Sequence, residues 1–205
     1  MIIGVVDYGM GNLMSVTNAL TAVGAEARVL RDARGTADAG ALVVPGVGAF
    51  GRGMQGLRER GFVDALEREV REKKKPMLGI CLGLQLLATR GTELGDHLGL
   101  GWVPGVVHRL EGSPGLRVPH IGWNEVSGGG ALFAGVPQGT SFYFVHSYHL
   151  VPDDPRHVAG TTEYGQTFVS AVEADNVLGV QFHPEKSHKF GLALLKNFVS
   201  VARRA

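Results

Sequence analysis

Two hydrophobic periods alternate along the first half of the chain. Ile2–Asp7 (IIGVVD) is a continuous apolar run, which predicts a strand buried on both faces. After a Gly-rich turn, NLMSVTNALTAVG repeats apolar residues at helical spacing and stops at Gly24, a suitable C-cap. Glu26–Leu30 (EARVL) and Ala41–Gly46 (ALVVPG) read as the second and third strands. Gly51–Lys75 carries charges of both signs on a helical period and predicts one exposed helix, with Arg71–Lys75 (REKKK) as its solvated, dipole-matched end. PMLGI is a fourth buried strand, and a helix is expected from about Leu82. This alternation implies a parallel sheet with helices on both faces.

The pattern then changes. GWVPGVVHRL, RVPHIGWNEV, TSFYFVHSYHLV, RHVAGTTEYG and QTFVSAVEADNVLGVQF read as short strands joined by Gly, Pro and Asp turns. They predict an antiparallel or mixed extension of the sheet. A last helix is expected over Phe190–Ala202. No repeat, low-complexity segment or linker interrupts the chain.

Composition narrows the classes. A length of 205 residues fits one domain with a sizeable core. Twenty Lys and Arg against 19 Asp and Glu leave a net charge of +1, which argues against a nucleic-acid surface. The single cysteine excludes an internal disulfide and cysteine-based zinc sites. No basic leader precedes the short N-terminal apolar run, and no apolar run is long enough to span a membrane, so the expected location is the cytoplasm. The turn GMGNLM lacks the third glycine of a dinucleotide fingerprint, which argues against NAD, and no other cofactor is expected. His146 and His149 would face opposite sides of a strand, so no metal is expected either.

The chemistry starts at that cysteine. Gly79-Ile80-Cys81-Leu82-Gly83 stands between a strand and a helix, the arrangement of a nucleophile elbow with sulfur in place of a hydroxyl. A helix N-terminus behind Cys81 would stabilise a thiolate, and the Leu82 N–H would face a developing oxyanion. A buried inert thiol is the alternative. A base and an orienter are found in VLGVQFHPEKS, where His183 and Glu185 follow a buried strand. In extended chain the two would share a side, so that Glu185 could hold the His183 ring. Pro45-Gly46-Val47-Gly48 ends another buried strand, where a Gly-rich turn can offer N–H groups to an anion. Together these make a Cys–His–Glu acyl-transfer site.

The three motifs, in this order, resemble the class I (triad) glutamine amidotransferase family: the G-x-C-x-G elbow, the P-G-x-G oxyanion strand and H-P-E. FVHSYH is similar too, and DYGMGNLMSV and PHIGWNEV are the segments that make the chain most similar to members that feed a separate (β/α)8 cyclase subunit in histidine biosynthesis. The fold this implies is α/β: one domain over residues 1–205, with a flavodoxin-like open parallel sheet, helices on both faces and antiparallel strands added in the C-terminal half. The activity implied is hydrolysis of L-glutamine through a Cys81 thioester. Val47, Gly48 and Leu82 would serve the oxyanion, and Gly48, Gln85, Glu93, Ser147 and Tyr148 would contact glutamine. The partner implied is the cyclase in a heterodimer, docked at Asn12, Trp123, Tyr143 and Lys186. The turn at Val47–Gly48 would stay misaligned until the partner carries its ligand. An amidotransferase for another acceptor, a stand-alone cysteine hydrolase and a non-catalytic module are the competing readings.

Overall fold

The computed structural model describes residues 1–112 and 115–205. β1 (Ile2–Val6) leads through α1 (Leu13–Ala22) to β2 (Glu26–Leu30). β3 (Ala41–Gly46) leads through α2 (Phe50–Glu59) and α3 (Phe62–Leu66) to β4 (Met77–Cys81) and the single-turn α4 (Leu82–Gln85). The strands β5 (Arg90–Gly91), β6 (His97–Leu98), β7 (Gly105–Arg109), β8 (His120–Gly128), β9 (Thr140–His146) and β10 (Tyr148–Pro152) follow. β11 (Val158–Glu163), β12 (Thr167–Ala174), β13 (Val177–Val180) and α5 (His188–Ala202) end the chain.

The larger sheet runs β2-β1-β3-β4-β13-β12-β11-β8-β9. It is parallel from β2 to β13 and antiparallel beyond, as the apolar runs and turn signals predict. The central strands are apolar on both sides because both sides are covered. Ile3, Val5, Val43, Leu78 and Ile80 pack on the face that holds α1 and α5. Val6, Leu42, Val44 and Met77 pack on the face that holds α2 and α3. Within the described residues no helix is long and apolar enough to cross a membrane.

β13 comes late in the chain yet lies beside β4. Register pairs Gly46 with Cys81 and Val180 with Ile80, so β3, β4 and β13 end level with one another. The C-terminal ends of neighbouring parallel strands are where open α/β sheets place their ligands.

Four local expectations are corrected. TSFYFVHSYHLV is two strands in different sheets: β9 stays in the large sheet, whereas β10 joins a second sheet of order β10-β7-β5-β6. The helix after Cys81 lasts one turn. The last helix begins at His188, before Phe190. The helix expected over 51–75 breaks at Gly61, which takes φ +69, and its C-terminal part, Glu67–Glu72, is π-helical. It is also not an exposed helix, since Met54, Leu57, Phe62, Leu66 and Val70 are buried.

Nor is REKKK simply solvated. Glu69 is fully buried, and Lys75 Nζ (2.8 Å), Lys73 Nζ (2.9 Å) and Arg68 Nε (3.2 Å) converge on it. Burial raises the pKa of this carboxyl, but hydrogen bonds from Lys75, Lys73 and Arg68 outweigh that and hold it at about 2. A depressed carboxyl pKa stabilises the fold above the unfolded value and is lost as pH falls through the folded one. Glu69→Ala is therefore expected to cost about 2 kcal/mol at neutral pH. In denaturant melts the gap to the parent chain should close between about pH 4.5 and 2; a gap independent of pH would contradict the charge assignment.

Candidate active site

Cys81 ends β4 with φ +54 and ψ −107, a conformation that residues with a Cβ rarely adopt. The glycines beside it are required by space. A Cβ on Gly83 would lie 1.8 Å from the Val44 carbonyl oxygen, and one on Gly79 would lie 2.7 Å from the Gly83 backbone. The elbow therefore passes too close to β3, and to itself, for any side chain at either position. Leu82 opens the turn that follows, so its N–H has no intrahelical acceptor.

The thiol is 5% exposed but not sealed off. It lines a cavity of about 330 Å³ together with Val47, Gly48, Leu82, Gln85, Glu93, Ser147 and Tyr148. The space suits a small amino-acid substrate. Gly48 takes φ +114, so a side chain there would be strained. Gln85 is nearly fully buried, not a solvated helix residue; its Nε2 donates to the Tyr148 carbonyl at 2.9 Å. α2 has no side-chain cap of its own, and Glu93 Oε2 takes the Phe50 N–H at 2.8 Å in its place. The other Glu93 oxygen has no protein partner among the described residues. Ser147 and Tyr148 occupy the crossing from β9 to β10, which is how one segment reaches the cavity from both sheets.

His183 follows β13, where its N–H donates to the Tyr143 carbonyl at 2.8 Å. Its Nδ1 lies 2.7 Å from Glu185 Oε1, and both side chains are 3% exposed. The two meet through a 3₁₀ turn over Pro184–Lys186, not through the extended chain that i, i+2 reasoning assumed. Ser187 pins that turn: its hydroxyl donates to the His183 carbonyl at 2.6 Å and accepts the Tyr143 N–H at 3.0 Å.

His183 and Glu185 line not the cavity but a narrow cleft behind it, with Gly46, Val47, Asn12 and Lys186. Nε2 of His183 is buried without an aligned hydrogen-bond partner. Burial pulls the ring's pKa down, but interaction with the Cys81 sulfur and then with Glu185 outweighs it and raises the value to about 9. A protonated ring at this place is the proper counterpart of a thiolate. A raised histidine pKa stabilises the fold below the unfolded value and is lost as pH rises through the folded one. The melting-temperature gap between parent and His183→Asn is expected to be full below about pH 6.5 and to shrink as pH rises past 9; a gap that widens with pH would contradict the assignment.

The residues assigned to docking share the rim next to this pair. Trp123 is 47% exposed, stacks on His188 at 5.0 Å and pairs in register with Tyr143. Lys186 Nζ lies 5.8 Å from the Tyr143 ring. Asn12 caps α1 through Ser15 N–H and borders the same cleft as Lys186.

Two neighbours of the sulfur escaped the sequence reading. Tyr8 is buried with an unpartnered hydroxyl; a Cβ on Gly46 would lie 2.0 Å from that oxygen, so only glycine fits there. Gln181 is fully buried and its Nε2 lies 3.7 Å from Cys81 Sγ. A polar residue inside the apolar run VLGVQF is the signal that could have singled it out.

The glutamine amidotransferase class-I model matches residues 4–202. The chain belongs to that family. Among relatives of this class I amidotransferase, "Imidazole glycerol phosphate synthase subunit HisH" of Moorella thermoacetica is 50% identical over 205 residues, covering 99% of this chain and 96% of its own length. HisH 2 of Pseudomonas aeruginosa is 48% identical over 199 residues, covering 96% and 98%. A crystal structure titled as a glutamine amidotransferase superposes with a TM-score of 0.79 at 22% identity, over 99% of this chain and all of that one; it supports the fold of the amidotransferase.

Proposed function

We propose that this amidotransferase is the glutaminase subunit of an imidazole glycerol phosphate synthase, a single class I domain that hydrolyses L-glutamine and passes the ammonia to a cyclase subunit in histidine biosynthesis. The observation that supports the chemistry most is the level ending of β3, β4 and β13: Val47, Gly48 and Cys81 border one substrate-sized cavity, and the His183–Glu185 pair stands in the cleft directly behind it. The identity of the HisH relatives over nearly the whole chain supports the acceptor.

Glutamine enters with its carboxamide at the sulfur. The Cys81 thiolate attacks the amide carbon, and the oxyanion formed is met by backbone N–H groups at Val47, Gly48 and Leu82. His183, held by Glu185, gives its proton to the departing nitrogen, ammonia leaves, and a γ-glutamyl thioester remains. Neutral His183 then takes a proton from water, the hydroxide attacks the thioester, and glutamate leaves as the thiolate and imidazolium are restored. Glu93 receives the substrate's ammonium group, and Gln85, Ser147 and Tyr148 fix the rest of it. The cyclase, of (β/α)8 fold, docks on Asn12, Trp123, Tyr143 and Lys186 to form a heterodimer, so that ammonia leaves through the cleft side and not into bulk water. Lys186 follows Glu185 directly, which gives docking a short route to the catalytic pair.

The test is glutamate release from glutamine by the chain alone and with the cyclase carrying its ligand. A large stimulation by the loaded partner is expected. Equal rates would remove the coupled reading and favour a stand-alone hydrolase.

A further inference from the structure

The Tyr148 carbonyl accepts two side-chain hydrogen bonds. Gln85 Nε2 donates to it at 2.9 Å, and His146 Nδ1 lies 2.9 Å away. A carbonyl only accepts, so it fixes the direction of both chains that meet there.

On the inner side the consequences run to the nucleophile. Gln85 presents its NH2 to Tyr148, so the same NH2 faces Gln181 at 3.1 Å, and the Gln181 atom there has to be its oxygen. That turns the Gln181 NH2 toward Cys81 Sγ, at 3.7 Å. An N–H at this distance is a fair donor to sulfur and a better one to a thiolate. Both of these glutamines are buried, so neither amide can flip without stranding a partner.

On the outer side, His146 Nδ1 carries the hydrogen, so Nε2 accepts from His120 Nδ1 at 3.0 Å. His120 Nε2 then accepts from Asn124 Nδ2 at 3.3 Å, and Asn124 also donates to the Glu163 carbonyl at 2.8 Å. His120 is clamped between Phe144 and Tyr164, with ring centroids 4.8 and 4.0 Å away. Burial lowers both pKa values, to about 4 for His120 and about 3 for His146, so neither ring gains the second proton that would reverse the chain.

We propose that Gln181 is a positioning residue for the glutaminase reaction: oriented by the Tyr148 carbonyl through Gln85, it presents a fixed N–H donor to the Cys81 thiolate. The inference rests on the function proposed above. It adds a donor that the triad does not contain. It also gives Gln85 a restricted part: with both N–H groups engaged, only its oxygen is left for substrate, and it serves as an acceptor.

The sole cysteine makes the test direct, because alkylation of the full chain by iodoacetamide reads Cys81 alone. Gln181→Met removes the donor at similar volume. The titratable groups around the sulfur, namely His183 with Glu185, Tyr8, His146 and Glu93, stay as they are. The half-maximal pH of alkylation is expected to rise by about one unit, so that alkylation at pH values below the parent's half-maximal point slows by about tenfold, the size of one hydrogen bond to a charged group. A purely structural residue would leave that pH profile in place. Superimposable profiles for Gln181→Met and the parent would overturn the proposal; should Gln181→Met not fold, Gln181→Leu carries the same comparison. Glutamate release with the loaded cyclase is measured in parallel. A parent chain that releases none sinks the glutaminase reading, while the alkylation contrast still decides whether Gln181 holds the thiolate.

Discussion

Cys81→Ala is expected to lower glutamine hydrolysis by about 10⁴-fold or more, in the presence of the loaded cyclase. Alanine cannot form the proposed thioester, so both halves of the proposed reaction would lose their covalent intermediate. What remains is a cavity and an oxyanion turn acting on water, which is weak catalysis. The fold should tolerate the change. Alanine also has a Cβ, so the strain of φ +54 is the same, and the sulfur it removes is a single atom at the point where the core meets a cavity. The residues proposed for docking, Asn12, Trp123, Tyr143 and Lys186, make no contact that needs the thiol, so binding of the cyclase should be unchanged. The measurement is glutamate release against cyclase affinity for the same preparation. A rate within tenfold of the parent would rule out the thioester, and a lost partner would show that Cys81 is structural.

The second large effect falls on a residue that touches no substrate. Gly83→Ala puts a carbon 1.8 Å from the Val44 carbonyl oxygen, a position no real contact allows. Backbone and not a flexible side chain is in the way, so β3 and the turn after Cys81 must part. Overpacking against backbone at this distance is expected to cost about 3 kcal/mol, the upper end of the usual range. Parting β3 from the elbow also tilts the pairing of Gly46 with Cys81, and with it the geometry between the oxyanion turn and the sulfur. Glutamine hydrolysis should therefore fall even in the fraction that stays folded. Chemical denaturation and activity per folded molecule together check this. A variant as stable as the parent would mean that the elbow has more room than 1.8 Å implies.

Much of this was legible in the chain, for identifiable reasons. IIGVVD, ALVVPG and PMLGI are apolar on both sides of the strand, and only a sheet covered on both faces accommodates that. Gly79 and Gly83 flank Cys81 because an elbow with side chains there cannot close, so the spacing itself signals the turn. The misreadings also have causes. Charge alternation over 51–75 concealed an amphipathic face, because Arg58, Glu59 and Arg60 stand in the chain between the buried Leu57 and Phe62. Glu69 reads as one more surface charge; only the fold shows it buried under three cations. TSFYFVHSYHLV reads as one strand because nothing local marks Ser147 as the point where the chain leaves one sheet for another.

By itself the sequence determined what is local: which segments are strands and helices, where the backbone has to turn on glycine, and which side chains can act as nucleophile, base and orienter. Tertiary structure alone decided what depends on contacts between segments far apart in the chain. Insertion of β13 beside β4 brought His183 and Gln181 to Cys81, and the crossing at Ser147–Tyr148 brought the carbonyl that orients Gln85. The reason is physical: hydrophobic periodicity and turn chemistry act over a few residues, whereas strand order and the direction of a buried hydrogen bond are set by whichever partners the packed core leaves within reach.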